Sequence, residues 1–152
     1  MRKLPLLMYG QDKIVSEWVA SIIPDVAIAG GGFKNCTAIG VYSDEVGMMA
    51  GVVYSDYYPA FETIQLSIAA VNPMWARREI ITALLSYPFE QLNVFKCWVT
   101  IPLDNQASLE MTEHVGFRQE AILKHQFGKN RHAVIKRMFK PDFKRLYRSA
   151  SQ

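Results

Sequence analysis

The stretch Val71-Asn72-Pro73-Met74-Trp75-Ala76-Arg77-Arg78-Glu79-Ile80-Ile81-Thr82-Ala83-Leu84-Leu85 switches period partway along. The residues leading into it, Thr63–Val71, have the β-branched, apolar composition of a strand. Asn72-Pro73 breaks that strand, because proline has no N–H for a ladder. Ile80, Ile81, Leu84 and Leu85 then recur at helical spacing and mark one face of a helix ending near Pro88. Val94–Ile101 follows as a second buried-looking strand. Strand, helix and strand in this order require a right-handed crossover and parallel pairing of the two strands.

Upstream, Cys36–Ser43 and Val46–Tyr54 read as strands that form an antiparallel meander with Thr63–Val71. Ile14, Val15, Trp18, Val19 and Ile22 mark an amphipathic helix, with Asp12 placed to favour its start and Pro24 to stop it. Gly30-Gly31-Gly32 is a flexible connection. No Gly-Lys-Ser/Thr follows it and no dinucleotide spacing is present, so it is not a phosphate loop. Downstream, Asp104 or Asn105 caps a helix whose Ala107, Met111 and Val115 share a face and which Gly116 ends. Phe117–Phe127 and His132–Phe139 read as a hairpin around Gly128-Lys129-Asn130. The sum is an α/β chain, a mixed sheet with helices on both faces. With 152 residues, no repeat and no linker, residues 1–152 are expected to be one domain.

Half the residues are apolar and a fifth are charged, which excludes disordered and fibrous classes. Met1-Arg2-Lys3 precedes only a short apolar patch, Leu4 to Tyr9, interrupted by Pro5. Neither a signal peptide nor a membrane span is expected, and the reading is a cytoplasmic protein without membrane contact. Cys36 and Cys97 match no disulfide or metal spacing and are expected as buried free thiols. Net charge is +3, unevenly spread: Arg118–Gln152 holds ten Lys/Arg against two Asp/Glu, a local +8 that leaves −5 elsewhere. Such an end attracts phosphates of a cofactor or of nucleic acid, or is a solvated surface.

The Val-x-Pro, the aromatic Trp75, the basic turn and the closing Leu84-Leu85 together resemble the central motif of the GNAT superfamily of acyl-CoA-dependent N-acetyltransferases. Asn105-Gln106-Ala107-Ser108 and Gly116-Phe117 resemble the family's downstream Asn-x-x-Ala/Ser helix and Gly-Phe. The likeness spans roughly Cys36 to Phe139. Asn105 with Ser108 is similar to the ribosomal-protein and alarmone-type members, and the aromatic-plus-basic turn with Tyr87-Pro88-Phe89 to acetyltransferase-like proteins of bacteriophages. The resemblance implies a sheet, mostly antiparallel, splayed at its middle. It implies acetyl-CoA as co-substrate, an amine acceptor and no metal.

In that family the strand before the motif pairs its free backbone with the pantetheine arm, a role that falls here to Ala69, Ala70 and Val71. The helix N-terminus holds the pyrophosphate, because its unpaired N–H groups carry about half a positive charge. The resemblance places Trp75, Arg77, Arg78, Ile80 and Asn105 around the cofactor. Arg77, Glu79 and Ile81 replace the turn's usual glycines; Arg77 and Arg78 compensate by charge-assisted contacts, and Glu79 opposes an anion. The family's tyrosine acid and glutamate base fall at Thr112 and Thr100, neither of which titrates. That leaves Ser108 as hydrogen-bond donor to the sulfur and Asn105 either fixing the pantetheine or an ordered water, or simply capping its helix. Glu62, at the start of the splayed strand, is the candidate base through water, or a solvated strand-edge carboxylate.

His114 is expected near its helix's last carbonyls, and His125 and His132 share no ligand spacing for zinc. Two functions follow: acetyl transfer by direct attack of an amine, or an inactive module of the same fold that meets nucleic acid or a protein through its basic C-terminal face. The acceptor would be set by Gly30 to Phe33, Asp56 to Glu62 and the last hairpin, none of which encodes a ligand. Oligomeric state is open.

Overall fold

A computed structural model describes residues 4–148; Met1 to Lys3 and Ser149 to Gln152, the two ends of the sequence reading, lie outside the described residues. The apolar patch after the N-terminus contributes a short strand, β1 (Leu6–Met8), which pairs with the first predicted strand. Helix α1 spans Asp12–Ile22 and buries Val15, Ser16 and Val19. Asp12 does not cap it: its Oδ1 accepts the Ala38 N–H at 2.9 Å and ties the helix to the sheet. Pro24 does not simply stop the helix either. It opens α2 (Pro24–Ala29) from the first turn, where a missing N–H costs nothing.

The meander is β2 (Thr37–Ser43), β3 (Gly47–Tyr58) and β4 (Thr63–Ala70). Strand β3 runs four residues past its expected end, through a register shift between Ser55 and Tyr58. A 3₁₀ turn, Pro73–Trp75, leads into α3 (Arg78–Ser86), and Tyr87–Gln91 continues as one wider turn around Pro88. The chain continues with β5 (Lys96–Pro102), α4 (Gln106–Val115), β6 (Arg118–Leu123) and β7 (Ala133–Phe139). A short helix absent from the sequence reading, α5 (Lys140–Phe143), then buries Phe143 against Phe89 at 5.1 Å between ring centroids.

The sheet order is β1-β2-β3-β4-β5-β7-β6. Every neighbouring pair is antiparallel except β4 with β5. That parallel pairing covers only Thr63–Gln65 against Lys96–Trp98. Beyond it β4 stays with β3 up to Ala70 and β5 stays with β7 up to Pro102. The sheet therefore opens into a V between its two halves.

Alternation along the strands divides the core in two. Ile64 and Leu66 enter the large cluster beneath α3, α4 and α5, and Ala69 enters the small one beneath α1. Gly51 lets α1 come close, since a Cβ there would stand 2.7 Å from Val19 Cγ2. Both cysteines are free, but only Cys97 is fully buried; Cys36, just before β2, is half-buried against the small cluster. Among the described residues no helix is long and apolar enough to cross a membrane.

Candidate functional site

The V leaves one edge of β4 without a partner. Val71 donates its N–H to Met49 O at 2.8 Å, which fixes the hydrogen-bonded pairs of the β3–β4 ladder as Val71 with Met49, Ala69 with Gly51 and Ser67 with Val53. The alternate residues Leu66, Ile68 and Ala70 therefore turn their backbone N–H and C=O toward β5, which has moved away beyond the last pair, Gln65 with Trp98, and so leaves Ile68 and Ala70 facing the gap. Of the three residues assigned to the pantetheine arm, only Ala70 faces the gap. The groups of Ala69 and Val71 are consumed by β3, and Ile68, absent from the sequence reading, takes their place. Alternation was readable from the sequence, but its phase was set by which residue pairs with Met49.

At the open end of the V stands the N-terminus of α3. The first intrahelical bond runs from the Ile81 N–H to Arg77 O, and no side chain caps the helix. The N–H groups of Arg78, Glu79 and Ile80 are thus left without an intrahelical partner. Ile80 is buried, so its part is confined to the main chain. Arg77 is half-buried with no ion pair among the described residues, and the Arg78 guanidinium lies 5.3 Å from the centre of the Tyr147 ring. Trp75 is only 3 % exposed and belongs to the large core. Its indole anchors the turn from below instead of offering a face to a ligand, because an aromatic between two strand-to-helix bends is drawn into the apolar interior.

The N-terminus of α4 stands at the same end. Asn105 is its cap, its Oδ1 accepting the Ser108 N–H at 3.1 Å. The Ser108 hydroxyl is half-buried and makes no hydrogen bond among the described residues. Thr112 is engaged: its hydroxyl donates to Ser108 O at 2.8 Å and approaches Leu109 O at 3.2 Å. At the apex of the V, Gln65 Nε2 reaches Thr100 Oγ1 at 3.4 Å and bridges the two diverging strands.

Glu62 is not brought into this group. It occupies the β3–β4 turn at φ 55°, and its carbonyl accepts the N–H groups of Phe95 and Lys96. The paired segment Thr63–Gln65 separates it from the V, roughly 10 Å of strand rise. His114 is exposed on the last turn of α4. His125 Nδ1 accepts the Asn130 N–H at 2.8 Å and His132 Nδ1 accepts the His125 N–H at 2.9 Å, so both rings tie the last hairpin. Among the described residues no group of three or more His, Cys, Asp or Glu is placed to hold a metal. Burial pushes the Cys97 thiol and the Tyr54 hydroxyl well above their ordinary values, which leaves neither as a nucleophile.

Four cations of the basic C-terminal stretch, Arg118, Arg131, Lys136 and Arg148, reach carboxylates in the rest of the chain. In all, six of the stretch's ten cations, Arg118, Arg131, Lys136, Arg137, Arg145 and Arg148, lie within ion-pair distance of carboxylates. Arg131 joins three segments, reaching Asp25 on α2 at 2.7 Å and Asp104 before α4 at 3.2 Å. Its hydrogen bonds hold the Asp104 carboxyl below the usual range.

No family model matches the chain, and no curated protein matches it in sequence. Solved structures do. The spermidine/spermine N-acetyltransferase SpeG from Vibrio cholerae, solved in complex with manganese ions, is 14 % identical with a TM-score of 0.69, covering 96 % of this chain and 97 % of that one. The dodecameric spermidine N-acetyltransferase from Vibrio cholerae, in an intermediate state, is 19 % identical with a TM-score of 0.61, covering 75 % of this chain and 69 % of that one. The shared feature is the fold, a mixed sheet with helices on both sides in the GNAT arrangement.

Proposed function

We propose that residues 1–152 form one acetyltransferase domain that moves an acetyl group from acetyl-CoA to the amine of an acceptor by direct attack. The observation that carries this is the V between β4 and β5, with free backbone groups of Ile68 and Ala70 on one wall and the uncapped N-terminus of α3 at its mouth. These donors fit the co-substrate chemically. A pantetheine arm is a chain of amides that pairs as a strand does, and a pyrophosphate is matched by the N–H groups of Arg78, Glu79 and Ile80, with the Arg77 and Arg78 side chains adding charge.

Acetyl-CoA supplies an acyl carbon already activated as a thioester. The chain's part is to place a neutral amine against that carbon, and proximity provides much of the rate. Backbone N–H groups on the β4 wall polarise the carbonyl as an oxyanion hole does. The C–N bond forms as the C–S bond breaks. The Ser108 hydroxyl, on the first turn of α4 whose main chain the Asn105 cap holds, donates a hydrogen bond to the departing sulfur. A thiol's ordinary pKa of about 8.5 makes the thiolate a fair leaving group, so one hydroxyl suffices. The amine's proton leaves to water at the apex formed by Gln65 and Thr100, two side chains that do not titrate. The two free cysteines suit a reducing, cytosolic setting.

The test is a melting curve. A ligand bound only by the native state at a hundred times its Kd adds about 2.7 kcal/mol. For a chain near this length that is roughly 5–11 °C. An unchanged melting temperature at saturating acetyl-CoA overturns the proposal.

A further inference from the structure

The sheet face opposite α3 and α4 is covered over only half its width. Helix α1 packs on β2, β3 and β4, and the core beneath it holds no residue of β5, β7 or β6. Register identifies what lies on the other half. Gln65 pairs with Trp98, and Trp98 with Arg137, so these three side chains form one row on the face that Ala69 also uses. Lys96 and Phe139 make the row below, and Thr100 and Ile135 the row above, at the apex of the V. All are half-buried, as the floor of a groove is.

The floor has a chemical gradient. At one side Gln65 and Thr100 span the entrance to the V at 3.4 Å. In the middle Trp98 gives an aromatic platform. At the other side Arg137 stacks on the Phe139 ring at 4.5 Å, next to Lys96. These two cations share one carboxylate, Glu120, at 3.1 Å from Lys96 and 3.9 Å from Arg137. Arg118, opposite Arg137 in the ladder, is turned to Glu113. An ion pair at 3.9 Å is within Coulombic reach but leaves guanidinium donors free for a second carboxylate.

Resting on the acyl-transfer reading above, we infer that the acceptor is an amine that also carries a carboxylate. Its amine enters the V between Gln65 and Thr100, its apolar or aromatic body lies on Trp98, and its carboxylate meets Arg137 and Lys96. Strands stand about 4.8 Å apart, so from β4 across β5 to β7 is roughly 10 Å, which selects a spacer of several bonds between amine and carboxylate. A second ammonium in the carboxylate's place would face two cations that have only one counter-charge between them.

Acetyl-CoA binding is measured first by calorimetry, since its absence removes the acyl-transfer reading itself. With binding in hand, kcat/KM is determined by thiol release for 4-(aminomethyl)benzoate, its carboxamide and 1,4-diaminobutane. The carboxylate should exceed the carboxamide by about tenfold or more, the scale of a charge-assisted pair, and the diamine by more than that. Arg137→Gln should erase the advantage over the carboxamide, chiefly by raising KM for the carboxylate. Lys96→Gln should do the same more weakly and stands in if Arg137→Gln, having lost its stacking on Phe139, melts below the assay temperature. Equal use of the carboxamide or the diamine, an Arg137→Gln effect identical on both benzyl substrates, or no transfer to the carboxylate by a protein that binds acetyl-CoA each overturns the inference.

Discussion

Proline substitutions at Ala69 and Ala70 separate the two jobs of the β4 backbone. Ala70 stands opposite Ala50 in a pair that exchanges no ladder hydrogen bond, and Ala69 opposite Gly51 in a pair that does. Proline removes the N–H at either position while its φ suits an extended chain. At Ala70 the protein loses no internal bond, so stability should fall by less than about 1 kcal/mol. At Ala69, only 4 % exposed beneath α1, the Gly51 carbonyl loses its donor, costing about 1–3 kcal/mol, and the ring presses on β3 as well. With 1 kcal/mol worth roughly 2–4 °C at this length, Ala69→Pro should melt roughly 2–12 °C below wild type and Ala70→Pro within about 4 °C of it. For acetyl-CoA the order reverses. One backbone hydrogen bond is worth about 0.5–1.5 kcal/mol, so Ala70→Pro should weaken binding roughly two- to thirteenfold in a calorimetric titration. Equal melting of the two variants would mean that the alternation is assigned in the wrong phase. Wild-type affinity in Ala70→Pro would refute the β4 edge as the partner of the pantetheine arm.

Ser108→Ala should lower turnover by about ten- to a hundredfold with acetyl-CoA affinity nearly unchanged, read as kcat against Kd. Asn105→Ala should also cost about 1 kcal/mol of stability, because it removes the cap on the Ser108 N–H, and a chemical-denaturation midpoint measures it. Replacing Arg77 and Arg78 together by Ala should weaken acetyl-CoA binding and flatten its salt dependence in titrations at two ionic strengths; unchanged affinity would mean that the helix N–H groups act alone. Glu90 is held below its ordinary value chiefly by hydrogen bonds from Arg148 and Ser86. A depressed folded value stabilises fully above the unfolded value of about 4.3 and is lost as pH falls through the lower folded one. Glu90→Gln should therefore lower the urea midpoint at neutral pH and leave it nearly equal to wild type at the bottom of that window.

The element order from α1 to β7, α2 apart, follows from local chemistry. Helical spacing in Ile80 to Leu85, a proline break at Pro73, an Asn cap and a Gly stop around α4 each act over a few residues, so the sequence alone carries them. The same holds for the parallel pairing of β4 with β5, which the crossover requires. Locality is also where legibility ended. The Leu6–Met8 patch is a strand and Lys140–Phe143 is a helix because partners distant in sequence accept them, while Pro24, readable as a stop, opens a second helix. At the site, that Asn105, Ser108 and the start of α3 share one end of the V follows from strand direction, which the sequence implied. That Ile68 and Ala70 face the gap, that Glu62 lies behind the paired segment, that Trp75 is core and that six basic C-terminal residues meet carboxylates were settled only by register and packing. A residue's type fixes what its atoms can do, and only the tertiary contacts, made between segments tens of residues apart, fix which way those atoms point.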